Sequence, residues 1–256
     1  MNEGLSFKDN QFIFNFTSDS EDDIIYFETP EIYQSSILGN EYFFGYRFTP
    51  TSSKQARSAF INWLKKQSIE SASNDLISFI VRPIKYLCAR IPIDTFDAII
   101  YPVSNRSKLV NIIIDIFCKV APHGMPKKSF EMIKNIPNAI YFDWDAFNAN
   151  YDGVIGDSRY LNIYSYIEEF LMPKIHDLSY FSIAENVKPK YRKFIQNYLI
   201  FRDNDSRVLL NSIMEGHLII IDDINTSGST INEILKIIKA INKACEVYIF
   251  TLIGKD

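Results

Sequence analysis

Residues Leu218 to Thr230 read LIIIDDINTSGST, and this stretch decides the predicted fold. Four consecutive aliphatic residues precede two adjacent carboxylates, Asp222 and Asp223, and a run of hydroxyl residues around one glycine follows them. The aliphatic run predicts a strand that is buried on both faces, as strands of a parallel sheet are. The amphipathic segment from Ile231 onward predicts a helix, so the hydroxyl-rich turn lies at a helix N-terminus.

A helix N-terminus offers free backbone N–H groups and a favourable dipole to an anion. The residues at this one are Thr226, Ser227, Gly228, Ser229 and Thr230. Gly228 lets the backbone approach a ligand closely or take a positive φ. Two carboxylates would repel a bare phosphate, so we expect them to hold sugar hydroxyls or to act through a divalent cation. An ordinary buried strand with a capped helix explains the aliphatic residues, but not the paired acids with the loop.

The stretch resembles the phosphoribosyl-diphosphate (PRPP) binding loop of the type I phosphoribosyltransferases. That motif is an aliphatic run, two acids, an aliphatic residue, one variable position and a Thr/Ser/Gly-rich loop. Every position here holds an allowed residue type, with Ile224 as the aliphatic residue and Asn225 at the variable position. The resemblance extends from Phe96 onward, although only Leu218–Thr230 is specific. It implies an α/β fold of the type I phosphoribosyltransferase kind, with a mostly parallel twisted sheet flanked by helices.

The resemblance also implies roles for individual residues. The loop Thr226–Thr230 would bind the 5-phosphate of PRPP, and Asp222 and Asp223 would engage the ribose and help to hold Mg²⁺, which is bound largely by the substrate. In the family, the turn after the first core strand contacts the diphosphate. By position, the residues of that turn here are Ser104, Asn105, Arg106 and Ser107. Arg106 offers a bidentate donor to phosphate oxygens, and a solvated surface arginine is the alternative.

We predict two regions in the chain. Residues 1–92 form an N-terminal α+β region that is a candidate hood over the site, and residues 93–256 form the phosphoribosyltransferase core with an insertion at about 145–186. The hydrophobic patterns predict strands at Gln11–Thr17, Asp23–Glu28, Glu41–Phe48, Phe96–Val103, Asn138–Trp144, Leu218–Ile221 and Glu246–Leu252. They predict helices at Ser53–Lys66, Asn74–Arg90 (kinked or divided by Pro83), Leu109–Val120, Tyr164–Ile175, Tyr191–Leu199, Ser206–Met214 and Ile231–Lys243, and a loop at Asp145–Tyr160.

Members of the family choose their acceptor with a variable hood and exclude water with a mobile loop. The hood must come from the N-terminal region, from the insertion, or from both. Four aromatic residues could stack a base, although core packing is the favoured interpretation for them: Tyr42, Phe43, Tyr46 and Phe48. One basic cluster is a candidate for the mobile loop, with a solvated helix face as the favoured alternative: Lys188, Lys190, Arg192 and Lys193.

The composition narrows the class of protein. The chain has 256 residues, a net charge of −4, three cysteines and three histidines. The cysteines form no CxxC and the histidines have no metal-ligand spacing, which disfavours a disulfide scaffold and a zinc site. The sequence holds no signal pattern and no membrane-length apolar run. We therefore expect a soluble cytoplasmic protein without a membrane partner. The acidic balance disfavours nucleic acid as a partner, and a homodimer is one assembly compatible with these features.

The predicted function is that of an enzyme. The resemblance implies transfer of ribose 5-phosphate from PRPP, with Mg²⁺, to a small nitrogenous acceptor (a nucleobase or a similar molecule), with release of diphosphate and a place in nucleotide metabolism. A PRPP-sensing regulatory protein with the same fold and no turnover is the alternative. Neither GxGxxG nor GxxxxGK[ST] occurs, which disfavours a Rossmann or P-loop nucleotide-binding protein.

Overall fold

The computed structural model describes residues 3–8, 11–15, 23–27, 33–48, 52–67, 73–91, 96–103, 108–120, 126, 128–213, 215–225 and 228–254. The strands are β1 (Glu3–Lys8), β2 (Gln11–Asn15), β3 (Asp23–Phe27), β4 (Tyr33–Ile37), β5 (Asn40–Phe48), β6 (Phe96–Pro102), β7 (Lys128–Lys134), β8 (Tyr141–Phe142), β9 (Ile195–Gln196), β10 (Leu199–Phe201), β11 (His217–Ile224) and β12 (Glu246–Gly254). The helices are α1 (Lys54–Lys65), α2 (Asn74–Arg90), α3 (Leu109–Val120), α4 (Trp144–Ala149), α5 (Ser158–Ser165), α6 (Met172–His176), α7 (Ile183–Asn186), α8 (Asn204–Asn211) and α9 (Ser229–Ile241).

One large sheet organises the described part of the chain. Its strand order is β10-β7-β6-β11-β12-β5-β3-β1-β2, and β4 also pairs with β5. The five central strands, from β7 to β5, are parallel to one another. The strands at both ends of the sheet pair antiparallel. The predicted α/β class, with a mostly parallel central sheet flanked by helices, is confirmed.

Helices cover both faces of this sheet because alternate residues of the central strands point to opposite sides. In β11, Leu218 and Ile220 join a core that includes α9 and the segment 140–199. Ile219 and Ile221 join a second core that includes α1, α2 and α3. The crossover from β6 to β7 therefore lies on one face and the crossover from β11 to β12 on the other. The two connections diverge between β6 and β11, which is the topological switch point where open α/β sheets bind ligands.

The N-terminal region contributes a strand to the central sheet. Strand β5 pairs in parallel with β12, with Phe43 opposite Phe250. The Tyr42 hydroxyl shares a hydrogen bond of 2.9 Å with the Thr251 hydroxyl, and the Tyr46 hydroxyl donates to the Phe79 carbonyl. Phe43 is buried as well. These aromatic side chains are core residues, as the favoured interpretation of the sequence states.

Helix α2 continues through Pro83 from Asn74 to Arg90, so of the two predicted effects of this proline, a kink or a division, the division does not occur. A proline lacks the N–H that a helix interior normally uses, which is why division was expected. Here Pro83 is buried, and it packs against strand β5 at a residue without a side chain. A Cβ atom on Gly45 would lie 2.5 Å from the Pro83 Cβ, so this glycine lets the helix approach the sheet. The close packing of Pro83 on Gly45 and the burial of the apolar face of α2 keep the helix continuous.

Three other predictions need correction. The strand expected at Asn138–Trp144 is reduced to β8, which pairs with β9 outside the large sheet. The neighbour of β6 is instead β7, which was not predicted because only Phe130 and Met132 of its residues are buried. The loop expected at Asp145–Tyr160 contains α4 and the start of α5, since Asp143 and Asp157 accept N–H groups at the two helix starts.

The helix expected at Tyr191–Leu199 is also absent. A short 3-10 segment at Pro189–Phe194 is followed by β9 and β10. Asn197 between these strands has a φ of 59°, which a continuing right-handed helix does not permit. The helix expected at Tyr164–Ile175 lies within a longer helical run, in which a π-helical segment, Tyr166–Leu171, joins α5 to α6. No helix among the described residues combines the length and the apolar character needed to cross a membrane.

We predict that Gly45→Ala destabilises the protein. The added methyl group would meet Pro83 and the Leu252 carbonyl oxygen, 3.1 Å away, and would push α2 from the sheet. We expect a loss of about 1–3 kcal/mol in the free energy of unfolding, measured by urea denaturation. Ser58→Ala on the exposed face of α1 is the matched control. An unchanged denaturation midpoint for Gly45→Ala would show that this contact does not limit the approach of α2.

Candidate functional site

The candidate site is a cavity at the carboxyl ends of β6 and β11. The two strands pair only as far as Ile100 and Ile220, whereas β11 remains paired with β12 as far as Ile224 and Ile253. The edge of β11 that faces β6 is therefore open over its last residues. A crevice forms there, at the switch point of the sheet. Its lining in the described residues comprises Lys65, Pro102, Val103, Val110, Lys134, Tyr180, Ser182–Glu185, Asp222–Asn225 and Gly228–Ile231.

The two acids lie at the bottom of this crevice. Asp222 and Asp223 each expose only 7% of their surface. Asp222 Oδ1 accepts the Asp223 N–H at 2.8 Å, and Asp223 Oδ1 accepts the Ile224 N–H at 2.7 Å. Burial, with the negative charge of Asp223, raises the pKa of Asp222 to about 7. A buried, paired carboxylate of this kind favours a cation or hydroxyl donors as its ligand.

Two lysines from separate elements, α1 and β7, compensate the negative charge. Lys65 Nζ, at the end of α1, lies 3.6 Å from Asp223 Oδ2, and the attraction of Asp223 raises the pKa of Lys65. Lys134 ends β7, and its Nζ lies 5.2 Å from the centre of the Tyr198 ring. Burial lowers the pKa of Lys134, while Asp222 and Glu233 oppose that change. The cavity thus holds two buried acids and two lysines, of which Lys65 is partly exposed.

Hydrogen bonds of Asn225 and the backbone conformation of Gly228 constrain the chain after β11. The Asn225 side-chain oxygen accepts the Gly228 N–H at 2.7 Å, and the Asn225 N–H donates to the Ile253 carbonyl at 2.8 Å. Gly228 precedes α9 with a φ of 70°, a left-handed conformation that favours glycine. A Cβ there would meet nothing closer than 3.5 Å, so the constraint is the backbone conformation rather than crowding. Gly228 and the first residues of α9, Ser229 to Ile231, line the cavity.

Several predicted site residues come together in this cavity. They are Asp222, Asp223, Gly228, Ser229 and Thr230. Thr226 and Ser227 lie outside the described residues. So do Ser104, Asn105, Arg106 and Ser107, although Pro102 and Val103, which lead into that turn, line the cavity. The roles of all the predicted site residues, described or not, stay predictions.

Sequence reasoning missed the residues that distant elements bring to the site. Lys65 occupies the last turn of an amphipathic helix, where a lysine ordinarily faces solvent. Lys134 ends a strand that the hydrophobic pattern did not reveal. Tyr180 and Ser182–Glu185 belong to the predicted insertion, which has no local motif for a cavity wall. Correct prediction of β7 as the neighbour of β6 would have placed Lys134 at the same sheet edge.

The basic cluster of residues 188–193 lies apart from the lining of the described cavity. The lysine ammonium groups stand over aromatic rings, with Lys188 Nζ 4.6 Å from the Tyr166 ring centre. Arg192 differs from the lysines, because its guanidinium donates to the Ala184 and Val187 carbonyls at 2.7 Å and 2.9 Å. Arg192 thereby holds α7, whose residues Ile183–Glu185 form one wall of the cavity.

The acid pair could supply only some of the ligands of a Mg²⁺ ion. The described residues contain no group of three or more His, Cys, Asp or Glu side chains that could hold a metal ion. Mg²⁺ typically uses one or two carboxylates together with substrate phosphates and water, rather than an all-protein cage. Asp222 and Asp223 fit this arrangement, because each keeps one carboxylate oxygen that accepts no backbone N–H in the bonds above.

The fold and the site define an α/β protein with a charged cavity at the switch point of its sheet. No family model and no curated protein sequence matches this chain. Among solved structures, the chain is similar to a hypoxanthine phosphoribosyltransferase from Staphylococcus aureus, with 12% identity and a TM-score of 0.36. The match covers 70% of this chain and 65% of that chain, just under two thirds of its length.

We predict that Asp222→Asn raises the melting temperature of the ligand-free protein at pH 8 by several degrees. The folded-state pKa of Asp222 lies above the usual value of about 3.9, so ionisation costs stability as pH rises from about 4 to about 7. An amide removes this cost, and the gain should disappear at pH 4, where the carboxyl is protonated. Thermal denaturation across this pH range measures it, with Asp115→Asn on the exposed side of α3 as the control. A gain that is equal at pH 4 and pH 8 would contradict the assignment.

Proposed function

We propose that this protein binds PRPP with Mg²⁺ and transfers its ribose 5-phosphate to a nitrogenous acceptor, with release of diphosphate. One observation carries the proposal. The acid pair, the left-handed Gly228 and the start of α9 meet in one cavity at the switch point, in the chain order that the PRPP-binding loop has. An ordinary capped strand–helix connection does not require two buried acids at that place.

The start of α9 suits the 5-phosphate. The first N–H groups of a helix have no partner within it, and Asn225 holds the preceding turn so that Gly228 can begin the helix. Ser229 and Thr230 add hydroxyl groups at the same position. In this proposal Thr226 and Ser227 complete the cradle. The helix dipole then stabilises the phosphate charge.

The acids suit the ribose and the cation. Asp222 and Asp223 precede the cradle by a few residues and line the same cavity as the start of α9. Their carboxylate oxygens that accept no backbone N–H would accept the ribose hydroxyls and help to hold Mg²⁺, which would supply charge neutralisation to the departing diphosphate. The family resemblance implies an oxocarbenium-like transition state, and negative charge beneath the ring would stabilise it.

The diphosphate would lie toward β6. In the proposal it meets Ser104, Asn105, Arg106 and Ser107, which follow directly after Val103. Lys134 adds a cation on the neighbouring strand. Its lowered pKa shows that its charge is poorly solvated, so an anionic ligand would be a favourable partner.

The acceptor would enter between two segments that flank the site, one in the insertion and the other at the end of α1. The wall formed by Tyr180 and Ser182–Glu185 comes from one face of the sheet, and Lys65 comes from the other. Either or both serve as the hood in this proposal. The side chains there include a phenol, a hydroxyl and a carboxylate, a set able to accept hydrogen bonds from the N–H groups of a nitrogenous acceptor.

We predict that PRPP with Mg²⁺ raises the melting temperature of the protein. The expected reason is ligand binding to the folded state alone, which stabilises it by about 2.7 kcal/mol at a hundredfold excess over the dissociation constant. Thermal denaturation with PRPP, with diphosphate alone and with PRPP lacking Mg²⁺ separates specific binding from general anion binding. The double variant Asp222→Asn/Asp223→Asn should lose the shift. No shift at saturating PRPP in the wild-type protein would rule out the proposal.

We further predict diphosphate release when PRPP, Mg²⁺ and the correct acceptor are combined. A screen of nucleobases and related nitrogen heterocycles, followed by a coupled diphosphate assay, identifies that acceptor. The double variant Asp222→Asn/Asp223→Asn should be inactive, and full activity in it would refute the role of the acids. PRPP binding without turnover for any acceptor would instead favour the PRPP-sensing regulator.

A further inference from the structure

Lys65 is the point at which the N-terminal region reaches the described part of the cavity. It ends α1, and its Nζ lies 3.6 Å from Asp223 Oδ2. The Lys65 side chain is 40% exposed, so it contacts solvent as well as lining the cavity. Two features determine what this contact can do: the fixed position of α1 and the different partners of the two Asp223 oxygens.

Helix α1 is fixed against the core. Phe60 and Leu64 are fully buried, and the Phe60 ring packs against Trp63 and Phe79 at centroid distances of 5.8 Å and 6.3 Å. The helix ends at Lys65, because the Lys66 N–H closes the last turn onto the Trp63 and Leu64 carbonyls. The place from which Lys65 extends is therefore set by packing, and its flexible side chain can hold or leave Asp223 without movement of the helix.

The two oxygens of Asp223 have different partners. Oδ1 accepts the Ile224 N–H, whereas Oδ2 faces the Lys65 ammonium. A divalent cation that binds Asp223 would use Oδ2, at about 2.0–2.1 Å for Mg²⁺. An ammonium 3.6 Å from the same oxygen would collide with a cation bound on that side of the oxygen and with its water ligands. Repulsion between the two positive charges adds to this steric conflict.

We propose that Lys65 is the resident counter-ion of Asp223 in the ligand-free protein and that it competes with the divalent cation for Asp223 Oδ2. Cation binding releases the Lys65 ammonium, which then faces the cavity and any anion bound there. Lys65 is thus a positioning residue for the acid pair. This inference rests on the proposed function only in assigning a divalent cation to these acids. It gives the N-terminal region a role in loading the site.

The test is a titration with Mg²⁺ alone, without PRPP. Lys65→Met keeps the length of the side chain and removes its charge, and Lys66→Met removes the neighbouring exposed charge as the matched control. Isothermal titration calorimetry should show that Lys65→Met binds Mg²⁺ roughly fivefold more tightly than wild type, the upper range for a partly exposed ion pair. Lys65→Arg, which restores the charge, and Lys66→Met should both stay near the wild-type affinity.

Three results would overturn the inference. They are an unchanged or weaker Mg²⁺ affinity in Lys65→Met, an equal gain in Lys66→Met, and an absence of Mg²⁺ binding in both wild type and Lys65→Met. A second measurement uses the wild-type protein and needs no variant to fold. Mg²⁺ should increase the rate of reductive methylation at Lys65 Nζ, followed by mass spectrometry, and leave the rate at Lys66 unchanged. Equal rates at Lys65 with and without Mg²⁺ would also overturn it.

The outcome is separable from that of the proposed function. Competition between Mg²⁺ and Lys65 without any PRPP-induced thermal shift would support the role of Lys65 and remove PRPP as the ligand. A PRPP-induced shift with identical Mg²⁺ affinities in wild type and Lys65→Met would preserve the proposed function and remove the role of Lys65.

Discussion

The early separation of β6 from β11 is the constraint on which the rest of the site depends. Strand β11 is buried on both faces and paired on both edges until Ile220, after which only β12 continues beside it. The last residues of β11 are thereby fixed in position while one edge becomes open. Two acids at that place lie in a crevice with little exposed surface of their own. Asn225, Gly228 and the start of α9 line the same crevice.

Burial of two adjacent acids carries an energetic cost that the fold offsets only partly. The raised pKa of Asp222 reflects that cost. Lys65 and Lys134 reduce it, but Lys65 remains partly exposed and burial lowers the pKa of Lys134. Perturbed pKa values of this kind cluster at functional sites, although structural ion pairs also produce them.

Much of the fold could be predicted, because long periodic segments report their own structure. Helices α2 and α3 and strands β6, β11 and β12 lie where their hydrophobic patterns place them. The failures concern segments whose structure depends on distant partners. Strand β7 alternates weakly because it lies toward one end of the parallel strands, and residues 138–144 bury aromatic rings against the insertion rather than against the sheet. Residues 191–199 look helical until Asn197, whose positive φ reverses the chain.

The sequence by itself determined the contiguous part of the site. The acids, Gly228 and the start of α9 adjoin one another in the chain, so a buried strand followed by a helix is sufficient to bring them together. The tertiary structure alone decided which other groups meet them. Lys65, Lys134 and the wall of residues 180–185 come from three separate elements, and their arrival depends on helix packing and strand order across both faces of the sheet. Local periodicity encodes which face of an element is buried, but it does not encode what that face packs against.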